Sequence, residues 1–276
     1  MGRYTVSVDG HNMSVYEEGS GAHTLVFLAG SGISSPVLEY KALYRKLAAT
    51  YRIVVIERFG YGYSETIDSE RSFGTIVRQD REALSKAGIE GPFVLCPHSM
   101  AGVEALKWAA DHPSEVEAII GLDMAVPEAY DTIDKRIRSA RSAVKLISFL
   151  KRTGIIKLMS NDMLSVPKTL TKEETKEYRS FFYSKFGNVC IMNESEAVAS
   201  VRDELKSRPK PGIPMLLFVS DGTFTGDDEK TWRGYPKRYA EGESRIRLIE
   251  LSCGHNLHNA MTESVSNQMR EFLGVL

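Results

Sequence analysis

Cysteine is scarce in this chain of 276 residues, with only Cys96, Cys190 and Cys253. An odd number without metal-ligand spacing argues against a disulfide framework and against a zinc site, and makes a reducing cytoplasm the expectation. Cys96 and Cys253 are expected as small buried residues. Long apolar runs are also missing: none approaches the ~20 residues of a membrane-spanning helix. The N-terminal residues Met1-Gly2-Arg3-Tyr4-Thr5-Val6 lack the apolar centre of a signal peptide. Neither sign of charge dominates, since 35 Lys and Arg face 36 Asp and Glu for a formal net charge of −1. That balance offers no basic footprint for nucleic acid. The six histidines show no His-x-x-x-His spacing with an acid nearby, so a metal is not expected; no cofactor is expected either. Internal repeats and low-complexity tracts are absent.

What remains is ordinary soluble-protein composition, 42% hydrophobic and 26% charged, with length enough for one large α/β domain or two small ones. Residues 3–8 alternate, Asp9-Gly10 turns, and residues 11–16 alternate again, which predicts a β-hairpin. Continuous apolar runs at 24–28, 53–56 and 93–96 predict strands covered on both faces. Further strands are expected at 118–122, 215–219 and 245–251, and helices at 37–49, 72–87, 100–111 and 263–273. Strands alternating with helices imply a mostly parallel sheet, with functional groups outside the strand C-termini.

The rhythm changes after Pro127: residues 128–207 carry helical patterns only. One helix is expected over 134–150. A second opens at the capping-box-like Thr171-Lys172-Glu173-Glu174, and a third at Asn193 to Glu196. We therefore expect an α/β core formed by residues 1–127 and 208–276, with 128–207 inserted as an all-helical cap over the strand C-terminal edge.

One stretch organises the chemistry. Phe93-Val94-Leu95-Cys96-Pro97-His98-Ser99-Met100-Ala101-Gly102 reads as strand, turn and helix with a serine at the apex. Such a turn lifts a hydroxyl clear of its neighbours and lets the following N–H face a developing oxyanion. Both glycines of Gly-x-Ser-x-Gly are replaced here, by Pro97 and Ala101. A serine also needs a base, and the base needs an acid to fix its tautomer. His255, in the loop after the last strand, is the candidate base.

The chain resembles the α/β-hydrolase fold superfamily along essentially its full length. Leu28-Ala29-Gly30-Ser31-Gly32 is similar to the family's His-Gly oxyanion loop, with Ala29 in place of His. Residues 57–64 resemble its Asp-x-x-Gly-x-Gly-x-Ser loop, residues 98–102 its His-Ser-Met-Gly-Gly elbow, and Gly254-His255 with His258 its Gly-His-x-x-His ending. The resemblance implies Ser99 as nucleophile, His255 as base, and oxyanion donors from the N–H of Met100 and one of Gly30 or Ser31. It leaves two acids. The usual family register, after the penultimate strand, falls on Thr223, with Asp221 two positions early and Asp227 and Asp228 further on. Asp123 ends the strand that follows the elbow helix, where haloalkane dehalogenases carry their acid. Asp123 is favoured and Asp221 is the runner-up. His98 is expected to pack or line the pocket, and His258 to be structural or a pocket wall.

The function this implies is serine hydrolysis of a small or medium ester. The same triad would serve a C–C bond hydrolase, a proline-iminopeptidase-like amidase or a perhydrolase, and a ligand-binding receptor of this fold is the non-enzyme alternative. A dehalogenase or epoxide hydrolase is disfavoured, because those need a carboxylate at position 99. Ile137, Val144, Leu146, Phe149, Phe181 and Phe182 are expected to shape an apolar pocket or simply to seat the cap. The lysines and arginines of 135–157 are expected to form a solvated face rather than a lipid-binding one.

Overall fold

The computed structural model describes residues 2–131, 160–161 and 164–276. Strands β1 (Gly2–Val8) and β2 (His11–Glu18) form the hairpin. Asp9 and Gly10 both take positive φ, 52° and 81°, which matches the right-handed twist of the strands they join. The runs Thr24–Leu28 (β3), Phe93–Pro97 (β5) and Met215–Val219 (β7) are buried at every position. Arg52–Glu57 (β4) and Val116–Leu122 (β6) are nearly so. The last strand, β8 (Ile246–Glu250), lies at the edge, and no residue of it is fully buried.

The eight strands lie in the order β1-β2-β4-β3-β5-β6-β7-β8, with β1 and β2 antiparallel to their neighbours and the rest parallel. Because β3 sits between β4 and β5, the chain reverses its winding there. The loops after these parallel strands gather at one edge. One face of the sheet is covered by α3 (Phe73–Lys86), α4 (Ala101–Asp111) and Tyr239 of α7 (Glu229–Ala240). The other is covered by α1 (Pro36–Glu39), α2 (Lys41–Leu47) and α9 (Thr262–Leu273), with the short α8 (Leu257–Ala260) before it.

Between β6 and β7 the described residues form only helices and turns. α5 (Lys172–Lys185) opens with the anticipated capping box: Glu174 N–H donates to Thr171 Oγ1 at 3.2 Å, and Thr171 N–H to Glu174 Oε2 at 3.0 Å. α6 (Val189–Lys206) starts earlier than the Asn193 expected from sequence, because Asn188 Oδ1 caps it by accepting from the N–H of Cys190 at 2.9 Å. The sequence reading also missed α7, since Pro236 in its interior reads as a helix breaker. The expected helix 134–150, the basic stretch 135–157 and Ile137, Val144, Leu146 and Phe149 lie outside the described residues.

Buried charge seats α6 on the core. Arg58 Nη1 donates to Glu104 at 2.8 Å, Arg71 Nη2 to Glu194 at 2.9 Å, and Tyr61 Oη to Glu194 at 2.8 Å, all of these side chains being almost wholly buried. Removing one member of such a group leaves a buried charge unpaired, at about 3–5 kcal/mol. Nearby, Asn188 Nδ2 donates to Gly60 O at 2.7 Å. A Cβ on Gly60 would fall 2.6 Å from Cys190 Cβ, so only glycine lets the helix approach this closely.

Candidate active site

β5 ends at Pro97 and α4 begins at Ala101, so Ser99 occupies a very short turn. Its φ of 52° lies in the left-handed region that side chains avoid. Bonds on both sides hold it there: His98 N–H donates to Leu28 O at 3.0 Å, and Ser99 O accepts from Gly102 N–H at 2.9 Å and Ala125 N–H at 2.8 Å. Such a conformation costs about 1–3 kcal/mol and persists only where its surroundings over-determine it. Pro97 is tolerated because ladder pairing passes to His98. The tight approach falls at Gly102, where a Cβ would lie 2.1 Å from Ala125 O, whereas Ala101 carries its methyl in the core.

Ser99 Oγ lies 2.9 Å from His255 Nε2, and His255 Nδ1 lies 2.6 Å from Asp123 Oδ2. A carboxylate only accepts, so Nδ1 carries the proton and Nε2 is left bare to accept from the serine hydroxyl. Asp123 is buried, with 1% exposure, and sits at φ 54° just past β6. Three further donors hold its oxygens: Ser220 N–H and Trp232 Nε1–H on Oδ1, at 2.7 and 2.9 Å, and Ser220 Oγ–H on Oδ2, at 2.7 Å. Ser220 and Trp232 were missed in the sequence, where nothing in their spacing to Asp123 marks them.

Asp221, the runner-up acid, turns to its own loop, accepting from Thr223 N–H at 2.9 Å. The Thr223 hydroxyl and N–H hold its carboxyl below the usual range. Gly30 is packed against the elbow, and a Cβ there would lie 2.7 Å from Ser99 Cβ. Ser31 is exposed, and Met100 directly follows Ser99 as the cap residue of α4. His98 is buried. Its Nε2–H donates to the backbone oxygen of His255 at 3.2 Å, and its ring lies 4.5 Å from that of His255. Burial, then the His255 and His258 imidazoles, push its pKa well below the ordinary value, so it stays neutral beside His255. Of the cysteines, Cys96 and Cys190 are buried and Cys253 partly so, and none forms a disulfide. Burial first, then Asp123 and Asp221, push the Cys253 thiol up to about 11. Phe181 stands edge-on to Tyr63 at 4.8 Å, and Phe182 stacks on Phe186 at 4.8 Å.

A family model for the alpha/beta hydrolase fold matches residues 24–145. The uncharacterized protein YbdG of Bacillus subtilis (strain 168) is 32% identical to this chain over 97% of it and 84% of YbdG. The chain belongs to the α/β-hydrolase fold family. Two solved members share the fold over almost the whole chain. A thermophilic esterase from Thermogutta terrifontis has a TM-score of 0.71 and 18% identity, covering 99% of this chain and 98% of its own. The epoxide hydrolase CorEH has 0.70 and 20%, with the same coverage of both chains. Membership of this family supports a hydrolase. Among the described residues, no group of three or more His, Cys, Asp or Glu is arranged to hold a metal, and no helix is long and apolar enough to cross a membrane.

Proposed function

We propose that this α/β-hydrolase family member is a serine hydrolase acting on a small or medium carboxylic ester, with Ser99 as nucleophile, His255 as general base and Asp123 as its acid partner. The observation that carries this reading is the unbroken chain from Ser99 Oγ through His255 to Asp123, at 2.9 and 2.6 Å. Ser99 Oγ attacks the ester carbonyl as His255 Nε2 takes its proton. The oxyanion is met by the N–H of Met100 and one from Gly30 or Ser31. His255 then returns the proton to the departing alkoxide, and water repeats the sequence on the acyl-enzyme to release acid and regenerate Ser99. Asp123 holds the imidazole orientation and stabilises the imidazolium.

Residues 128–207, placed between β6 and β7, would act as a cap on the strand-end site, with 1–127 and 208–276 as the core. The substrate is a small molecule, and three free cysteines fit a reducing compartment. An epoxide-hydrolase reading is not favoured, because position 99 is serine rather than a carboxylate.

A fluorophosphonate probe is expected to label wild-type protein at Ser99 and to leave Ser99→Ala unlabelled. A panel of p-nitrophenyl esters of increasing chain length then reports acyl preference. No labelling of well-folded protein overturns the nucleophile assignment. Labelling without turnover of any ester redirects the substrate to an amide or a C–C bond.

A further inference from the structure

We propose that Glu39 is a positioning residue whose buried carboxylate ties the segment after the general base, and the inserted helix α5, to the helix behind the oxyanion loop. This rests on the serine-hydrolase reading above and adds to it a residue outside the triad.

Glu39 ends α1, nine residues beyond Gly30, and is 2% exposed. Its Oε1 accepts from His258 Nε2–H at 3.0 Å and Asn259 Nδ2–H at 2.8 Å, both on α8, which begins two residues after His255. Its Oε2 accepts from Tyr178 Oη–H at 2.7 Å, on α5. His258 and Tyr178 are buried too, at 0% and 5% exposure. Burial, then the Glu39 carboxylate, hold the Tyr178 phenol well above its ordinary range, so it remains a donor. A desolvated carboxylate with three donors is a strong junction, because each bond is charge-assisted.

The junction reaches the catalytic ring by direct packing. The His258 ring lies edge-on to His98 at 4.9 Å, and His98 lies against His255 at 4.5 Å while bonding its backbone oxygen. On the other side, α5 is pressed onto α1 and α2 by the Lys41–Glu174 ion pair and by Leu38, which clusters with Leu164, Val166 and Tyr178. One side chain thus sets the seat of the histidine and the seat of the insertion. Its two ends can be cut separately.

The full chain is assayed on a p-nitrophenyl ester, with fluorophosphonate labelling and amide hydrogen exchange as parallel readouts. Tyr178→Phe cuts only the insertion's bond. It is expected to raise KM roughly 5–20-fold with kcat within about 2-fold, and to speed exchange of the α5 amides about 10-fold. His258→Phe cuts the histidine side while keeping an aromatic ring. It is expected to lower kcat and the labelling rate about 10-fold with KM nearly unchanged. Glu39→Gln keeps an oxygen for His258 and Asn259 and is expected to stay within about 3-fold of wild type in kcat. If Tyr178→Phe and His258→Phe lose stability while kcat and KM stay put, Glu39 is merely structural and the proposal is overturned. If wild type neither labels nor turns over, it is the serine-hydrolase reading that has failed. The tether is then judged by exchange alone, and unaltered α5 protection in Tyr178→Phe overturns it.

Discussion

Trp232 donates its indole N–H to Asp123 Oδ1 at 2.9 Å and stands edge-on to the His255 ring at 5.6 Å. A helix that carries Pro236 in its interior thereby supplies both a donor for Asp123 and a wall for His255. Trp232→Phe keeps the wall and removes the donor. A hydrogen bond to a buried charge contributes about 1.5–3 kcal/mol, so the urea midpoint is expected to fall by that equivalent. The loss in kcat should be much smaller than for removing the acid itself. Unchanged stability would show that Asp123 does not depend on the indole.

Asp123→Asn and Asp221→Asn separate the two acids. An amide at 123 can hold the wrong imidazole tautomer, and kcat is expected to drop ~10³–10⁴-fold. Asp221 bonds Thr223 instead of His255, so its variant should stay within about 2-fold of wild type. A collapse confined to Asp221→Asn refutes the assignment of Asp123.

Gly30→Ala tests the loop packed against Ser99. The added methyl would meet Ser99 Cβ at 2.7 Å and His98 Nδ1 at 2.9 Å, so loop or elbow must shift. Losing one oxyanion donor costs ~10²–10³ in kcat, and a drop of that order is expected with the fold intact by circular dichroism. Wild-type kcat would mean that this loop does not face the reacting carbonyl.

Asp80→Asn tests the buried cluster that seats α6. Three carboxyls, Asp80, Glu104 and Glu194, meet two guanidiniums, Arg58 and Arg71. Burial, then the Glu104 carboxylate, push the Asp80 carboxyl well above the usual range, so the native state holds a proton there. The native state then binds more protons than the unfolded chain. Its advantage is full below the unfolded pKa of ~3.9 and is lost as pH rises through the folded value. Asparagine is neutral throughout and does not carry this loss. The urea midpoint of Asp80→Asn relative to wild type is therefore expected to climb between pH 5 and pH 9. A flat difference would mean that Asp80 is ionised in the native state.

Much of the fold is legible in the sequence because its signals are local. Asp9-Gly10 turns a hairpin, five apolar runs become the central strands, and Thr171 with Glu174 opens a helix. The failures are local too: Pro236 masks α7, and Asn188 caps α6 five residues ahead of the expected start. Chemistry is less legible where partners are distant. Asp123 and Asp221 both follow ends of neighbouring parallel strands, so spacing alone could not say which one meets His255. The donors Ser220 and Trp232 had no sequence signal.

By itself, the sequence determined the alternation of strands and helices, a serine at a strand-to-helix turn, and a histidine after the last strand. Strand pattern and turn chemistry depend on neighbours a few positions away. Only the tertiary structure decided that Asp123 would face a ring 132 positions further on, that Gly30 would lie against the elbow, and that Glu39 would join His258 to Tyr178. Those pairings follow from the order of strands in the sheet and from the seating of the helices between β6 and β7, and residue spacing along a chain does not encode either.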